Sequence, residues 1–415
     1  ANTVMCDMLM LAFWVWAVLL WVRGLERHEG LTLLLAGALV ALSALTKYFG
    51  ASPIPLLAAY SLLERKPVRL WLPGLLIPIA ALAGFQWATG AFYGKGFLTD
   101  ATGYATAIQG EGSGAAGKTF IGLAFTGGCF IAALFYGPLV WSRRVFIAGA
   151  AATIAGVFAL SRLSYIGEAP VVIAGTVRWP LVIESALFAA AGLSLLALTV
   201  RDIVKSRSSG SALLAMWVFG TFAFAVFFNW TVNGRSILPL VPAAAIIIVR
   251  ALEGRREGKA GLAALFLPLV PCLLVTVSVM WADSSLAGSA RTAARHLTQR
   301  YGDTGRVWFQ GHWGFQYYME EGGARPVEWG RSLIRRGDIV VFPLNNVNLR
   351  LVPGKSVSVI DDLRYATSPG WLATMSLGPG AGFYASEWGP LPYLVGPVNP
   401  ERYLVMRATE DFLLD

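Results

Sequence analysis

Three charged side chains stand where the surrounding sequence makes charge expensive, and their types suit one kind of chemistry. Asp7 lies in the first turns of an apolar run that begins at residue 4, Lys47 follows the apolar stretch ending at Thr46, and Arg235 lies between two further apolar runs. A carboxylate or ammonium at the centre of a bilayer costs about 2.5 to 3.5 kcal/mol on insertion scales, and less near the interface. Each of these groups therefore calls for a partner or a ligand. Two cations facing one cavity bind a phosphate or pyrophosphate well, Arg through two hydrogen bonds at once. A carboxylate beside them can orient or deprotonate an attacking hydroxyl. Tyr48, next to Lys47, joins the candidate phosphate site. Each residue also has a plainer use: the helix dipole favours an Asp at an N-terminus, and Lys and Arg anchor helix ends at the interface.

Other residues are weaker candidates. The stretch 92–118 reads as a long loop over a lipid or substrate groove, with Asp100, Glu111 and Lys118 as its possible substrate contacts. Within it Gly112, Gly117, Lys118 and Thr119 satisfy the P-loop spacing, and Gly112, Gly114 and Gly117 the dinucleotide spacing. A P-loop needs a buried strand before it and a nucleotide-facing helix after it. Here the preceding residues make a poor strand and an apolar span follows, so neither ATP nor a dinucleotide is expected. Arg162, Glu168 and Arg178 read as interfacial residues, and Asn229-Trp230-Thr231 as a chance glycosylation sequon beside the membrane. His28 and His296 read as surface residues, and His312 as a loop residue after a strand. There is no H-E-x-x-H, C-x-x-C or nucleophile elbow to support zinc proteolysis, thiol redox work or hydrolysis.

The elements that must position these groups follow from composition. Of 415 residues 56% are hydrophobic and 14% charged, with a mean hydropathy of +0.60. That excludes a cytosolic enzyme, a fibrous or disordered chain and a disulfide scaffold, and implies an integral membrane protein. Cys6, Cys129 and Cys272 all sit in apolar runs and read as small buried hydrophobes. The net charge of +9 reads as topology rather than nucleic-acid binding. About ten spans are expected, at 4–22, 31–46, 49–63, 70–91, 119–141, 145–161, 179–200, 211–229, 236–251 and 260–281. Arg23 and Arg27, Arg65 to Arg69, Arg143 and Arg144, Arg201 to Arg207, and Arg255 to Lys259 occupy alternate connections. Those connections are expected in the cytoplasm, which puts Asp7, Lys47, Arg235 and everything after the last span on the other face.

Two domains are expected: a membrane domain over 1–281 and a soluble α/β domain over 282–415, with strands at 306–310, 338–343 and 356–360. Helices are expected over 287–301 and 315–321, and an irregular Gly, Pro and Trp-rich tail over 368–400 that lies on the membrane domain. The sequence opens with Ala1 at the edge of an apolar span, which suggests a start partway through a longer protein.

Asp7 heading the first span, Leu45 to Gly50 (LTKYFG), Asn233 to Pro242 (NGRSILPLVP), and the C-terminal runs 307–318 and 382–390 together resemble the polytopic GT-C glycosyltransferases. The nearest resemblance is to bacterial members related to protein O-mannosyltransferases and aminoarabinose transferases, glycosyltransferase family 39, and it covers nearly the whole chain. It implies a helical membrane bundle with a C-terminal extracytoplasmic α/β domain. It also implies transfer of a sugar, with inversion, from a polyprenyl-phosphate carrier to a lipid, glycan or protein acceptor on the extracytoplasmic side of a bacterial inner membrane. By the same resemblance an acidic residue in a first extracytoplasmic loop is the general base, and that loop would precede Ala1. Asp7 would then match a second acidic position beside the acceptor or a metal, while Lys47 and Arg235 would face the carrier phosphate. No cofactor follows from the residues, and a divalent metal is left open. The rival classes are a transporter or lipid flippase, which commonly carries inverted repeats and midplane charges, and a non-catalytic glycan-binding membrane protein.

Overall fold

The computed structural model describes residues 5–108, 114–254, 265–303, 305–347 and 349–414. It divides into two compact units, Ala1–Leu273 with Gly382–Pro392, and Leu274–Ala381 with Tyr393–Asp415.

The first unit is helical. Its N-terminal part comprises α1 (Asp7–Arg27), α2 (Gly30–Thr46), a 3-10 turn at Tyr48–Ala51, α3 (Pro53–Leu63), α4 (Val68–Tyr93) and α5 (Phe97–Ile108). There follow α6 (Ala115–Cys129), α7 (Ala132–Phe135), α8 (Gly137–Val140), α9 (Arg143–Leu160), α10 (Trp179–Ser206), α11 (Ser209–Ala223), α12 (Gly234–Ile237) and α13 (Val241–Glu253). Among the described residues seven helical stretches are long and apolar enough to cross a membrane, and Gly30–Thr46 and Tyr48–Leu63 are shorter apolar helices. Glycines set how closely these helices approach. A Cβ added to Gly37 would stand 2.0 Å from the Gly74 carbonyl oxygen, and one on Gly192 would stand 2.2 Å from that of Leu123. Helices α2 and α4, and α6 and α10, thus touch backbone to backbone, as small residues allow in lipid. Helix α9 buries no residue, as expected of a helix whose surface is left to lipid.

Two of three departures from the sequence reading have local causes. The span expected over 119–141 is broken, because Phe130 leaves the helix at φ −112 and ψ 59 and the chain continues through two single-turn pieces, α8 with Pro138 in its first turn. The loop expected over 92–118 instead contains α5 and the start of α6. The first turn of α5 is capped from a distance: Phe97 N donates to Thr89 Oγ1 at 3.1 Å and Leu98 N to Gln86 Oε1 at 3.0 Å. These bonds satisfy amides that a helix start otherwise leaves open. Finally, Cys6 is exposed and Cys129 and Cys272 are only half-buried, short of the burial their apolar context suggests.

In the second unit, helix α14 (Leu269–Tyr301, which begins in the first unit) runs unbroken for 33 residues, about 50 Å at 1.5 Å per residue. The last expected span and the expected helix 287–301 are therefore one element. A five-stranded sheet follows, made of β1 (Val307–Phe309), β2 (Arg325–Pro326), β3 (Ile339–Pro343), β4 (Val357–Tyr365) and β5 (Glu401–Ala408), in the order β2-β1-β3-β5-β4. Strand β1 is parallel to β2 and β3, while β5 is antiparallel to β3 and β4. Helix α15 (Trp313–Glu321) connects β1 to β2.

The period of two sorts the strand side chains onto two faces. Val307, Phe309, Ile339, Val341, Tyr403 and Val405 pack with Ala294, Leu297 and Tyr301 of α14 and with Phe315 and Met319 of α15. Trp308, Val340, Met406 and Ala408 face the other way, onto Ile334 and Leu414. The three expected strands are present, and the interior strand β5 was not among them.

Candidate functional site

Asp7, Lys47 and Arg235 come together in the first unit, although they lie on three separate parts of the chain. Asp7 is the first residue of α1 and is buried. Lys47 Nζ donates to its Oδ1, and Arg235 Nε donates to its Oδ2 at 2.9 Å.

Local structure makes this meeting possible. Ser43 Oγ, one turn before the end of α2, donates to the Met10 carbonyl oxygen at 3.1 Å. That bond sets the register of two antiparallel helices so that the end of α2 stands beside the start of α1. Lys47 then leaves the helix in an extended conformation (φ −157, ψ 137), and the chain folds back on itself at once. A Cβ on Gly50 would lie 2.1 Å from the Ser43 carbonyl oxygen, so only glycine fits this turn. Beneath it lies an aromatic block. Trp14 stacks on Trp217 at 5.8 Å and meets the edge of Phe49 at 5.7 Å, and Phe49 stacks on Phe224 at 4.1 Å. Trp217 Nε1 donates to the Pro239 carbonyl oxygen at 2.7 Å, tying α11 to the segment that carries Arg235.

Arg235 is held by a polar network. Asn233 caps α12 by accepting from Ser236 N at 2.8 Å, and Asn229 Nδ2 donates to Thr231 O at 2.7 Å and Ser236 Oγ at 2.8 Å. The Asn of the sequon is thus spent on structure. The segment 382–392 lines the same turn: Gly234 N donates to Phe383 O, and Ser386 N to Val232 O, each at 2.9 Å. Thr231 Oγ1 donates to Glu387 Oε2 at 2.7 Å. A Cβ on Gly234 would stand 2.8 Å from the Phe383 ring. Sequence reasoning missed Thr231, Phe383, Ser386 and Glu387. The signals were general ones, a tail over 368–400 expected to lie on the membrane domain and the runs 233–242 and 382–390 in the resemblance, with nothing local to pair these residues across some 150 positions.

The electrostatic balance is one carboxylate against two cations, a net charge of +1. The side chain of Asp7 is 5% exposed, against 26% for Lys47 and 32% for Arg235, so the cations and not the carboxylate are open to a ligand. The terminal nitrogens of Arg235 donate to no acceptor among the described residues, which leaves its planar fork available to a phosphate-type anion. A divalent metal is a poor fit at Asp7, because both of its oxygens already accept from cations. Among the described residues no group of three His, Cys, Asp or Glu stands close enough to hold a metal ion.

The other candidates are not joined to this triad. Tyr48 is exposed, with its ring 6.5 Å from that of Phe85. Asp100 pairs with Lys95 at 2.8 Å on the exposed side of α5, and Lys118 lies half-buried in the first turn of α6. Glu111, Gly112 and Ser113 lie outside the described residues. The P-loop pattern is preceded by helix α5, not by a strand. His28 ends α1 in the left-handed conformation, and His296 Nδ1 is 2.7 Å from Tyr365 Oη.

No curated protein and no solved structure matches this chain. Residues 1–87 match the model of a family described as dolichyl-phosphate-mannose-protein mannosyltransferase. That stretch holds α1 to α3, most of α4, and two of the three charged residues, Asp7 and Lys47. With its long apolar helices and this N-terminal match, the chain is similar to the membrane mannosyltransferases over the part that carries Asp7 and Lys47.

Proposed function

We propose that this chain moves a sugar from a polyprenyl-phosphate carrier to an acceptor hydroxyl on a lipid, glycan or protein at the extracytoplasmic face of a bacterial inner membrane, with inversion at the anomeric carbon. The carrying observation is the convergence of Asp7, Lys47 and Arg235, two of which lie inside the segment matched by the mannosyltransferase model. In this reading the bond from the anomeric carbon to the carrier phosphate oxygen breaks as the acceptor oxygen attacks from the opposite side. The acceptor proton goes to a base, and the phosphate leaves with its charge largely formed. Fixed cations at the site of that developing charge lower the barrier without a strong general acid, and Lys47 and Arg235 fill that role. Asp7, with both oxygens engaged, is poorly placed to take a proton. It holds the two cations in position, and a carboxylate outside the triad serves as the base. The second unit lies on the extracytoplasmic side, where the acceptor arrives.

The test is a transfer assay on the full-length protein in lipid nanodiscs, with polyprenyl phosphate carrying a labelled sugar. Lys47→Ala and Arg235→Ala should raise KM for the carrier at least tenfold, and Asp7→Asn should lower kcat. Transfer at the parental rate by all three variants would remove the triad from the reaction.

A further inference from the structure

At the end of the helical unit expected in the cytoplasm, a narrow cleft of about 40 Å³ opens between α10 and α13. Arg201, Asp202 and Lys205 line it from α10, and Ile247, Arg250 and Gly254 from α13. The spacing puts them there: Arg201 and Lys205 are four apart, and Ile247, Arg250 and Gly254 are three and four apart, so each set shares one helix face. The cleft belongs to the first unit, and Asp7, Lys47 and Arg235 take no part in it. Three cations meet one carboxylate in its lining, a net charge of +2.

The cations are held in place without being used up. Arg201 Nη1 donates to the Val140 carbonyl oxygen at 3.0 Å, and its guanidinium lies 5.7 Å from the centre of the Trp141 ring. Arg250 Nη1 donates to Asp202 Oδ2 at 3.2 Å and to Ser211 Oγ at 3.1 Å. Each guanidinium is thus fixed through Nη1, and its Nη2 donates to no acceptor among the described residues. Lys205 makes neither a hydrogen bond nor an ion pair among them. Its Nζ lies 3.2 Å from where a Cβ on Gly254 would stand, so the missing side chain at 254 lets the ammonium lie against the end of α13.

Size and surroundings narrow the ligand. The volume holds roughly three waters, enough for the free oxygens of one phosphate group and far below the roughly 300 Å³ at which sites for whole small molecules begin. Beside the cleft the helices turn apolar side chains outward. Val204, three positions after Arg201, is 63% exposed, and Ile246, four before Arg250, is 44% exposed. Both helices lie in stretches long and apolar enough to cross a membrane, so acyl chains can pack on this surface while their phosphate enters the cleft.

We infer that the cleft binds the phosphodiester headgroup of an anionic phospholipid. Basic pockets between membrane helices suit such headgroups, and two Nη2 groups with an ammonium supply charge-assisted hydrogen bonds to the free oxygens. The net positive charge selects an anionic headgroup over one that carries its own choline or ethanolamine cation. Lys and Arg near helix C-termini also answer the helix dipole, but that role is indifferent to the lipid. The inference is independent of the glycosyltransferase reading.

The experiment is native mass spectrometry of the full-length protein released from nanodiscs of phosphatidylglycerol and phosphatidylcholine with the same chains in equal amounts. The parental protein should retain one phosphatidylglycerol at least tenfold more often than phosphatidylcholine, and excess inorganic phosphate should not displace it. Lys205→Gln should reduce that preference at least threefold, and Lys205→Gln with Arg201→Gln should abolish it. Arg69→Gln, an exposed cation of α4 outside the cleft, should keep it. Lys205 is exposed and unbonded among the described residues, so the single variant decides the matter even where the double variant fails to fold. Equal retention of the two lipids, or a preference that Lys205→Gln leaves unchanged, overturns the inference. So does a fall in melting temperature in every lipid with the preference intact, which marks the cations as helix caps alone. Displacement by inorganic phosphate overturns the lipid assignment and leaves a site for the free anion.

Discussion

Arg235 Nε donates to Asp7 Oδ2 at 2.9 Å across 228 positions of sequence, and Lys47 closes on the other oxygen of the same carboxylate. One buried acid therefore fixes two cations that would otherwise repel each other. The arrangement is poised rather than inert: an anion arriving at the open side of the cations competes with Asp7 for donors already in place. Interactions prepared before the charge develops need no reorganisation during the reaction.

The triad should behave as a coupled unit. In a double-mutant cycle on Asp7→Asn and Arg235→Gln, thermal unfolding should give a coupling energy of about 1 to 3 kcal/mol, below the cost of breaking a fully buried pair because both cations are partly exposed. Simple additivity within about 0.3 kcal/mol would mean that the two residues do not share a bond in solution.

Gly50 should control the phosphate site without touching it. Gly50→Ala places a methyl group 2.1 Å from the Ser43 carbonyl oxygen, so the turn that carries Lys47 must move. The expected outcome is a rise of at least tenfold in KM for the carrier, with helix content by circular dichroism preserved. Gly90→Ala, where a Cβ meets nothing within 4 Å, serves as the control and should leave KM alone.

Glu401 should make the second unit less stable as pH rises. It begins β5, is 8% exposed, and burial pushes its carboxyl from an ordinary 4.5 up to about 7, opposed only by the hydrogen bond from Asn345. Between those values the folded state keeps a proton that the unfolded state has lost. Stability therefore falls as pH rises from about 4.5 to about 7 and is level above, by at most about 3 kcal/mol. Hydrogen exchange of peptides covering β3 and β5 should show this slope in the parental protein, and Glu401→Gln should abolish it. Equal slopes in the two proteins would put the group's titration elsewhere.

The proposed orientation has a direct check. In sealed inner-membrane vesicles and in spheroplasts, protease should cut the second unit only from the extracytoplasmic side. Cleavage from the cytoplasmic side would reverse the topology and take the acceptor reading with it.

What sequence alone determined here is whatever depends on near neighbours. Runs of apolar residues about twenty long require a membrane, because only a helix satisfies its own backbone in lipid. The alternation at Val307, Trp308 and Phe309 requires a strand with two faces, and the expense of charge at Asp7, Lys47 and Arg235 marked them as groups in need of partners. Tertiary structure alone decided which partners they take, since a carboxylate at residue 7 meets Arg235 only through the stacking of Trp14, Trp217 and Phe49 and the bond from Ser43 to Met10. It also decided that residues 97–108 form a helix, capped by Gln86 and Thr89, and which part of the tail expected to lie on the membrane domain packs with the first unit, the segment 382–392 beside Arg235. Each of these rests on hydrogen bonds or van der Waals contact between side chains and backbone brought together by the fold, which local propensity does not encode.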